Sequence, residues 1–274
     1  MTYDALASIA RDIRITTFRS IAHAGGGHFG GSLSIAEILA VLYFSEMTVY
    51  PEQPDDPRRD RFILSKGHAG PALYTALALR GYFPVEQLKL IDVPLSPYPK
   101  HVDRLKLKGI EASTGPLGQG LSIGCGMAIS FKQQRLENRV YVLMGDGECD
   151  SGQGWEAAMA CAKYKLDNLT LIIDRNKCQI DGFCDDIMPI EPLGSKYEAF
   201  GWYALQTDGH DVQAISEACS EARRTTGKPT VIIADTVKGK GVSFMEGQAI
   251  WHSGQVSEAQ LAEGLAQLEE MSHG

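Results

Sequence analysis

Two side chains placed after apolar runs could together hold a divalent cation. Asp146 follows the run Val140 to Met144 and stands between Gly145 and Gly147. Asn176 follows the run Leu169 to Ile173, with 28 residues separating it from Gly147. That interval has room for a helix and the next parallel strand, so a carboxylate and an amide oxygen arrive at neighbouring strand tips. Two oxygen ligands suit a hard ion such as Mg²⁺, which completes its octahedron with phosphate oxygens and water. The glycines let backbone N–H groups approach phosphate, and a helix expected from near Gly152 points its positive end there. A sharp strand-to-helix turn without ligand explains Gly145-Asp146-Gly147 equally well by itself; Asn176 at the next strand end tips the reading toward a metal–diphosphate site. Other phosphate patterns fail. There is no G-x-x-x-x-G-K-[ST], and Gly115 to Gly120 runs G-x-x-G-x-G, the wrong order for a dinucleotide fingerprint.

The elements that must position these residues follow from apolar spacing. Helical periodicity spans Leu6 to Ile21, Ile35 to Phe44, Pro71 to Arg80, Trp155 to Tyr164 and Leu261 to Met271. Further helices are expected from the Gly-rich stretch to about Arg135, and around Asp211 to Arg224. Short apolar runs at Arg61 to Leu64, Val140 to Met144, Leu169 to Ile173, Trp202 to Gln206 and Thr230 to Ala234 read as strands. Strands alternating with helices, each strand a continuous apolar run, predict an α/β fold with a parallel sheet flanked by helices. No composition shift marks a boundary, so residues 1–274 are read as one domain. Ligands in such sheets sit beyond the carboxyl ends of the strands, where the Gly-rich and polar clusters lie.

Composition narrows the function classes. The 274 residues carry a net charge of -8 and no basic cluster, which argues against nucleic-acid or acidic-membrane partners. No apolar run reaches membrane-span length, and the N-terminus has no signal-peptide pattern. The six cysteines are scattered without a C-x-x-C pair, so zinc is not expected and a reduced, cytoplasmic setting is. They read as small core fillers.

With these residues in place, the chain resembles the transketolase family. Gly145-Asp146-Gly147 followed by Asn176 is similar to the thiamine diphosphate motif. Gly27-His28-Phe29-Gly30-Gly31, Ser65-Lys66-Gly67-His68, Thr114-Gly115-Pro116-Leu117-Gly118-Gln119-Gly120, Asp174 to Gly182 and Thr236 to Gly241 match its N-terminal, diphosphate-binding domain in family order. The resemblance implies the thiamine diphosphate-binding fold and, as cofactors, thiamine diphosphate and Mg²⁺. It implies Asp146, Asn176 and the Cys178 carbonyl as metal ligands. Cofactor contacts are implied for His68, Gly115, Pro116, Leu117, Gly147, Asn176, Ile180 and His252. His28, His68, His101 and His252 are implied as the catalytic histidines, which bind donor hydroxyls and move protons at near-neutral pH. Glu156 is implied as an acidic residue joining two cofactors across a dimer. Its usual acidic neighbour is replaced by Ser151, which puts that link in doubt unless Asp150 substitutes.

The family's pyrimidine-binding and C-terminal domains have no counterpart in the sequence. The resemblance therefore implies the N-terminal subunit of a split transketolase, with a C-terminal partner chain in an α₂β₂ assembly acting on sugar phosphates. Two other readings remain: a non-catalytic diphosphate-binding module, and a subunit of a related enzyme such as a 1-deoxyxylulose-5-phosphate synthase. Lys238 and Lys240 read as solvated loop lysines or as a flap over the cofactor. His210 reads as a turn or surface residue, His23 as a helix end and His273 as a tail residue.

Overall fold

The computed structural model describes residues 1–271, so His273 lies outside the described residues. Among them, five strands form one wholly parallel sheet: β1 (Arg61–Leu64), β2 (Val140–Gly145), β3 (Leu169–Arg175), β4 (Tyr203–Asp208) and β5 (Thr230–Asp235). Their spatial order is β1-β2-β3-β5-β4. Successive side chains on a strand point to opposite faces. Here both faces are covered, so both sets are apolar. Phe62, Leu64, Tyr141, Leu143, Ile172 and Ile232 pack on one side with α1 (Tyr3–His23), α3 (Ala36–Val41), α4 (Gly70–Arg80) and α9 (Val212–Arg224). Ile63, Val142, Met144, Leu171, Val231 and Ile233 pack on the other with α5 (Gln119–Gln133), α6 (Gly152–Lys163) and α8 (Leu193–Ala199). The expected double burial holds for β1, β2, β3 and β5. β4 departs from it and leaves Gln206 and Asp208 exposed.

The expected helix over Ile35 to Phe44 forms as α3 and widens into a π turn at Leu42–Glu46, with the short α2 (Phe29–Leu33) before it. Ser34, between α2 and α3, gives its hydroxyl to the Asp174 carboxylate at 2.9 Å. A smaller cluster of Phe18, Phe29, Leu33, Val242, Met245 and Leu268 fastens α10 (Glu258–Glu270) against α1 and α2. All six cysteines are buried free thiols, as expected of core fillers. No helix among the described residues is long and apolar enough to cross a membrane.

Register positions the site. Gly145 pairs with Asp174, and Asp146 N donates to the Asp174 carbonyl at 3.2 Å. On the other side of β3, Ala234 pairs with Asp174. The tips of β2, β3 and β5 are thus level, and the loops leaving them start side by side.

One buried ion pair lies beneath these loops. Arg14 on α1 donates to both Glu37 carboxylate oxygens, at 2.7 and 2.5 Å. His210 Nδ1 meets the same carboxylate at 3.1 Å, and its Nε2 accepts from Val237 N at 2.8 Å. His210 is therefore more than a turn residue: it links α3 to the segment after β5. Burial would raise the Glu37 carboxyl, but the Arg14 guanidinium and His210 outweigh it and hold the group down at about 2, against 4.5 when free. A depressed folded pKa means that the carboxylate stabilises the fold above pH 4.5 and loses that contribution as pH falls toward about 2. The difference corresponds to roughly 3 kcal/mol. Glu37→Gln should therefore destabilise the protein by about that amount at pH 7 in urea titrations. The gap to wild type should stay level down to about pH 5.5 and narrow below about pH 4.5. Equal stability at pH 7 would remove this role.

Candidate active site

Beyond the carboxyl ends of the strands lies a cavity of about 300 Å³. Its floor is built from the loops after β1, β2 and β3. Asp146 and Asn176 both line it, as do Gly147 and Cys178. Asp146 is 2 % exposed; its Oδ1 accepts from Gly147 N at 2.8 Å and its Oδ2 from Lys177 N at 2.5 Å. Burial, and then the neighbouring charge of Asp174, push its carboxyl up to about 6. A divalent cation facing it would reverse that penalty. Asn176 turns its amide nitrogen to Asp174 Oδ2 at 2.8 Å and its oxygen to Cys178 N at 3.2 Å. The donor set available to an ion is thus a carboxylate, an amide oxygen and a peptide carbonyl, and all-oxygen sets fit Mg²⁺.

Two lysines form the other part of the floor. Lys66, 1 % exposed, donates to the Gly31 carbonyl at 2.6 Å and to Asp174 Oδ2 at 2.5 Å. Lys238, 2 % exposed, donates to the Cys178 carbonyl at 3.1 Å and faces His252 Nδ1 at 3.3 Å. The solvated-loop reading of Lys238 is therefore overturned; Lys240, paired loosely with Glu246 at 3.7 Å, does fit it. Lys66 belongs to a family motif, but its residue type alone gives it no role. What could have found both lysines is their position, each next to a glycine just past a predicted strand end.

Four histidines close the mouth. Ring centroids of His28 lie 5.2 Å from His68, 5.4 Å from His101 and 5.4 Å from His252, and His68 lies 4.9 Å from His252. They come from four segments separated by up to 224 residues (252 − 28). Burial, then the charge of His101, lowers His28 to about 4. Burial, then Lys238, lowers His252 to about 3. His68 is driven well down by burial and Lys66. Burial is the leading cause in all three, and the crowding of nearby positive charge adds to it. An anionic group placed there would be welcomed by both lysines.

Close approach explains the glycines. A Cβ at Gly31 would sit 3.1 Å from His68 Nε2, and one at Gly67 would strike the Thr114 carbonyl. Gly115, Leu117 and Ile180 line the cavity, with Ile180 65 % exposed at its rim. The Gly-rich loop is fixed by Glu148, which accepts from Gly118 N at 2.8 Å, Gly145 N at 3.2 Å and the Ser65 hydroxyl. Sequence reading missed Glu148 because nothing local marks it as a clamp.

Not every residue singled out in the sequence reaches the lining. Pro116 is exposed and lies outside it, between the lining residues Gly115 and Leu117. Glu156 lies on the exposed side of α6, away from the lining. α6 starts at Gly152 as expected, but a 3₁₀ turn over Gly147–Asp150 precedes it and the lining in this stretch ends at Glu148. Asp150 instead accepts from Gln179 Nε2 at 2.8 Å.

Known proteins share this architecture. The family described as "Transketolase, thiamine diphosphate binding domain" matches residues 6–269. The 6-deoxy-6-sulfo-D-fructose transketolase subunit of Clostridium sp. (strain MSTE9) is 47 % identical over 95 % of this chain and 94 % of its own length. An apulose-4-phosphate transketolase subunit of Phocaeicola vulgatus is 42 % identical over 90 % and 88 %. The crystal structure of transketolase from Campylobacter jejuni superposes with a TM-score of 0.92 at 31 % identity, over 100 % of this chain and 44 % of that one.

The suppressed protonation of the rings gives a direct test. NMR titration of the ligand-free chain should find His28 and His252 neutral down to pH 5, given values of about 4 and about 3. Adding inorganic pyrophosphate should raise both, because an anion favours the charged ring. Titration of either near 6.5 without ligand would contradict the crowded-cation picture.

Proposed function

The chain belongs to the transketolase family through its thiamine diphosphate-binding domain, and from that premise we propose that it is the N-terminal subunit of a two-chain transketolase. With a C-terminal partner it would transfer a two-carbon ketol unit from a ketose donor to an aldose acceptor. One observation carries the reading: four histidines converge over a floor that pairs an oxygen-ligand set with two buried ammonium groups. A non-catalytic diphosphate module has no use for the histidines.

Mg²⁺ would be held by Asp146, Asn176 and the Cys178 carbonyl. The diphosphate would lie against Lys66, Lys238, His68, His252 and the Gly147 backbone, with Gly115, Leu117 and Ile180 beside the remainder of the cofactor. When bound, thiamine diphosphate supplies the electron sink that lets the bond beside a ketose carbonyl break. The chain's own residues do the rest. Lys238 donates toward His252 Nδ1, which leaves the ring proton on Nε2, available to a phosphate or hydroxyl oxygen. His28, neutral at pH 7, can accept a proton from a sugar hydroxyl and return it. His101 stands beside it at the mouth and shares the donor hydroxyls. The Gly-rich loop, fastened by Glu148, closes one wall.

The partner is supported by the relatives. Those named as subunits are matched over 94 % and 88 % of their length, whereas the transketolase of Pongo abelii is matched over 39 %. The missing machinery would come from a chain carrying the pyrimidine-binding domain, in an α₂β₂ assembly. A sulfonated and a phosphorylated sugar in the relatives' names support an anionic sugar substrate here.

Two outcomes test the reading. The purified chain with thiamine diphosphate and Mg²⁺ should show no ketol transfer, and adding the partner chain should start it; robust turnover by the single chain would overturn the split site. Asp146→Ala should abolish the Mg²⁺-dependent part of cofactor binding in calorimetry, while unchanged affinity would remove the metal assignment.

A further inference from the structure

Position 176 carries an amide where a hard cation would ordinarily favour a carboxylate. The reason lies two residues earlier. Asp174, fully buried near the end of β3, accepts hydrogen bonds from four side chains: Ser34 Oγ at 2.9 Å, Lys66 Nζ at 2.5 Å, Asn176 Nδ2 at 2.8 Å, and the Thr236 hydroxyl. Three of these converge on the single oxygen Oδ2. An ionised carboxylate only accepts, so the end of residue 176 that faces it must donate. From the other side, Cys178 N offers a hydrogen, so the end facing it must accept. An amide satisfies both demands in one orientation alone, with the nitrogen toward Asp174 and the oxygen toward Cys178 N, and Asn176 lines the cavity.

We propose that Asp174 is a positioning residue for the cation site: its carboxylate selects an amide at position 176 and turns that amide's oxygen to the metal, while Lys66 cancels the charge that this arrangement buries. The inference rests on the reading of Asp146 and Asn176 as metal ligands and adds the group that orients one of them. Outer partners of this kind commonly govern tenfold or more of metal affinity. A carboxylate at 176 would place two acceptors against each other at 2.8 Å spacing, with Lys66 the cation bonded to Asp174 there. The site should therefore respond contrary to ligand hardness.

The experiment is a side-chain exchange, read by calorimetry of Mg²⁺-dependent thiamine diphosphate binding and by thermal unfolding of the same samples. Asn176→Asp alone should weaken the Mg²⁺-dependent affinity by about tenfold or more, although it adds a charged ligand. Asp174→Asn combined with Asn176→Asp restores one donor facing one acceptor, and should recover most of the loss. A single variant that binds Mg²⁺ as well as wild type, or better, overturns the proposal. So does a double variant no better than the single. If Asn176→Asp fails to fold, the exchanged pair decides: folded and binding supports the proposal, while unfolded, or folded without binding, overturns it. If wild type itself shows no Mg²⁺-dependent binding, the metal assignment fails before the positioning role is reached.

Discussion

Four segments far apart in sequence meet at the Asp174 carboxylate, and the site is assembled around that meeting. Ser34 comes from between α2 and α3, Lys66 from the loop after β1, Asn176 from the loop after β3 and Thr236 from the loop after β5. A buried carboxylate without partners would cost several kcal/mol, and one with a full set of donors can be kept. That condition is strict. Each segment must deliver its donor to the same few cubic ångströms, so the strand tips cannot shift independently. Burial would raise the Asp174 carboxyl, yet Lys66, with Thr236 and Asn176, holds it below its ordinary range. The group stays charged, and its charge fixes what surrounds it.

The sheet makes that convergence possible. Parallel pairing of β2, β3 and β5 sets Gly145, Asp174 and Ala234 side by side. Covered faces on both sides favour apolar residues along most of β2, β3 and β5, so polar side chains gather at their tips. Polarity then begins abruptly where the strands end, and chemistry is confined to one edge of the sheet. The Arg14–Glu37–His210 chain sits just below and ties α1 and α3 to Val237, the residue before Lys238. Packing and site are joined through that residue.

The cavity sets two buried lysines against acidic groups, and the protonation of His28, His68 and His252 beside them is held back. Lys66 is neutralised by Asp174, whereas Lys238 finds only a carbonyl and an imidazole. Burial, then Lys66, lowers Lys238, and the histidines are lowered in turn. Asp146 is pushed the opposite way, up to about 6. A divalent cation facing Asp146 and an anion near Lys238 would relieve both shifts.

By itself the sequence determined the fold class, the strands and most helices, and the local motifs at their ends. These depend on apolar spacing and on short-range turn chemistry, which neighbouring residues express directly. It also marked Asp146, Asn176 and the four histidines: Asp146, Asn176, His28 and His68 adjoin a glycine or a strand end, and His101 and His252 lie in loops within two residues of a proline or a glycine. Only tertiary structure decided which polar groups are buried together. Lys238 reads as a loop lysine until β5 and the loop after β3 are brought into register; Glu148 reads as a turn acid until Gly118 reaches it; His210 reads as a turn residue until Glu37 arrives from 173 residues away. Pro116 and Glu156 belong to the right stretches, yet the chain's path turns them outward. Desolvation and charge pairing act through space, and the linear order of residues carries no direct record of which side chains will share a buried volume.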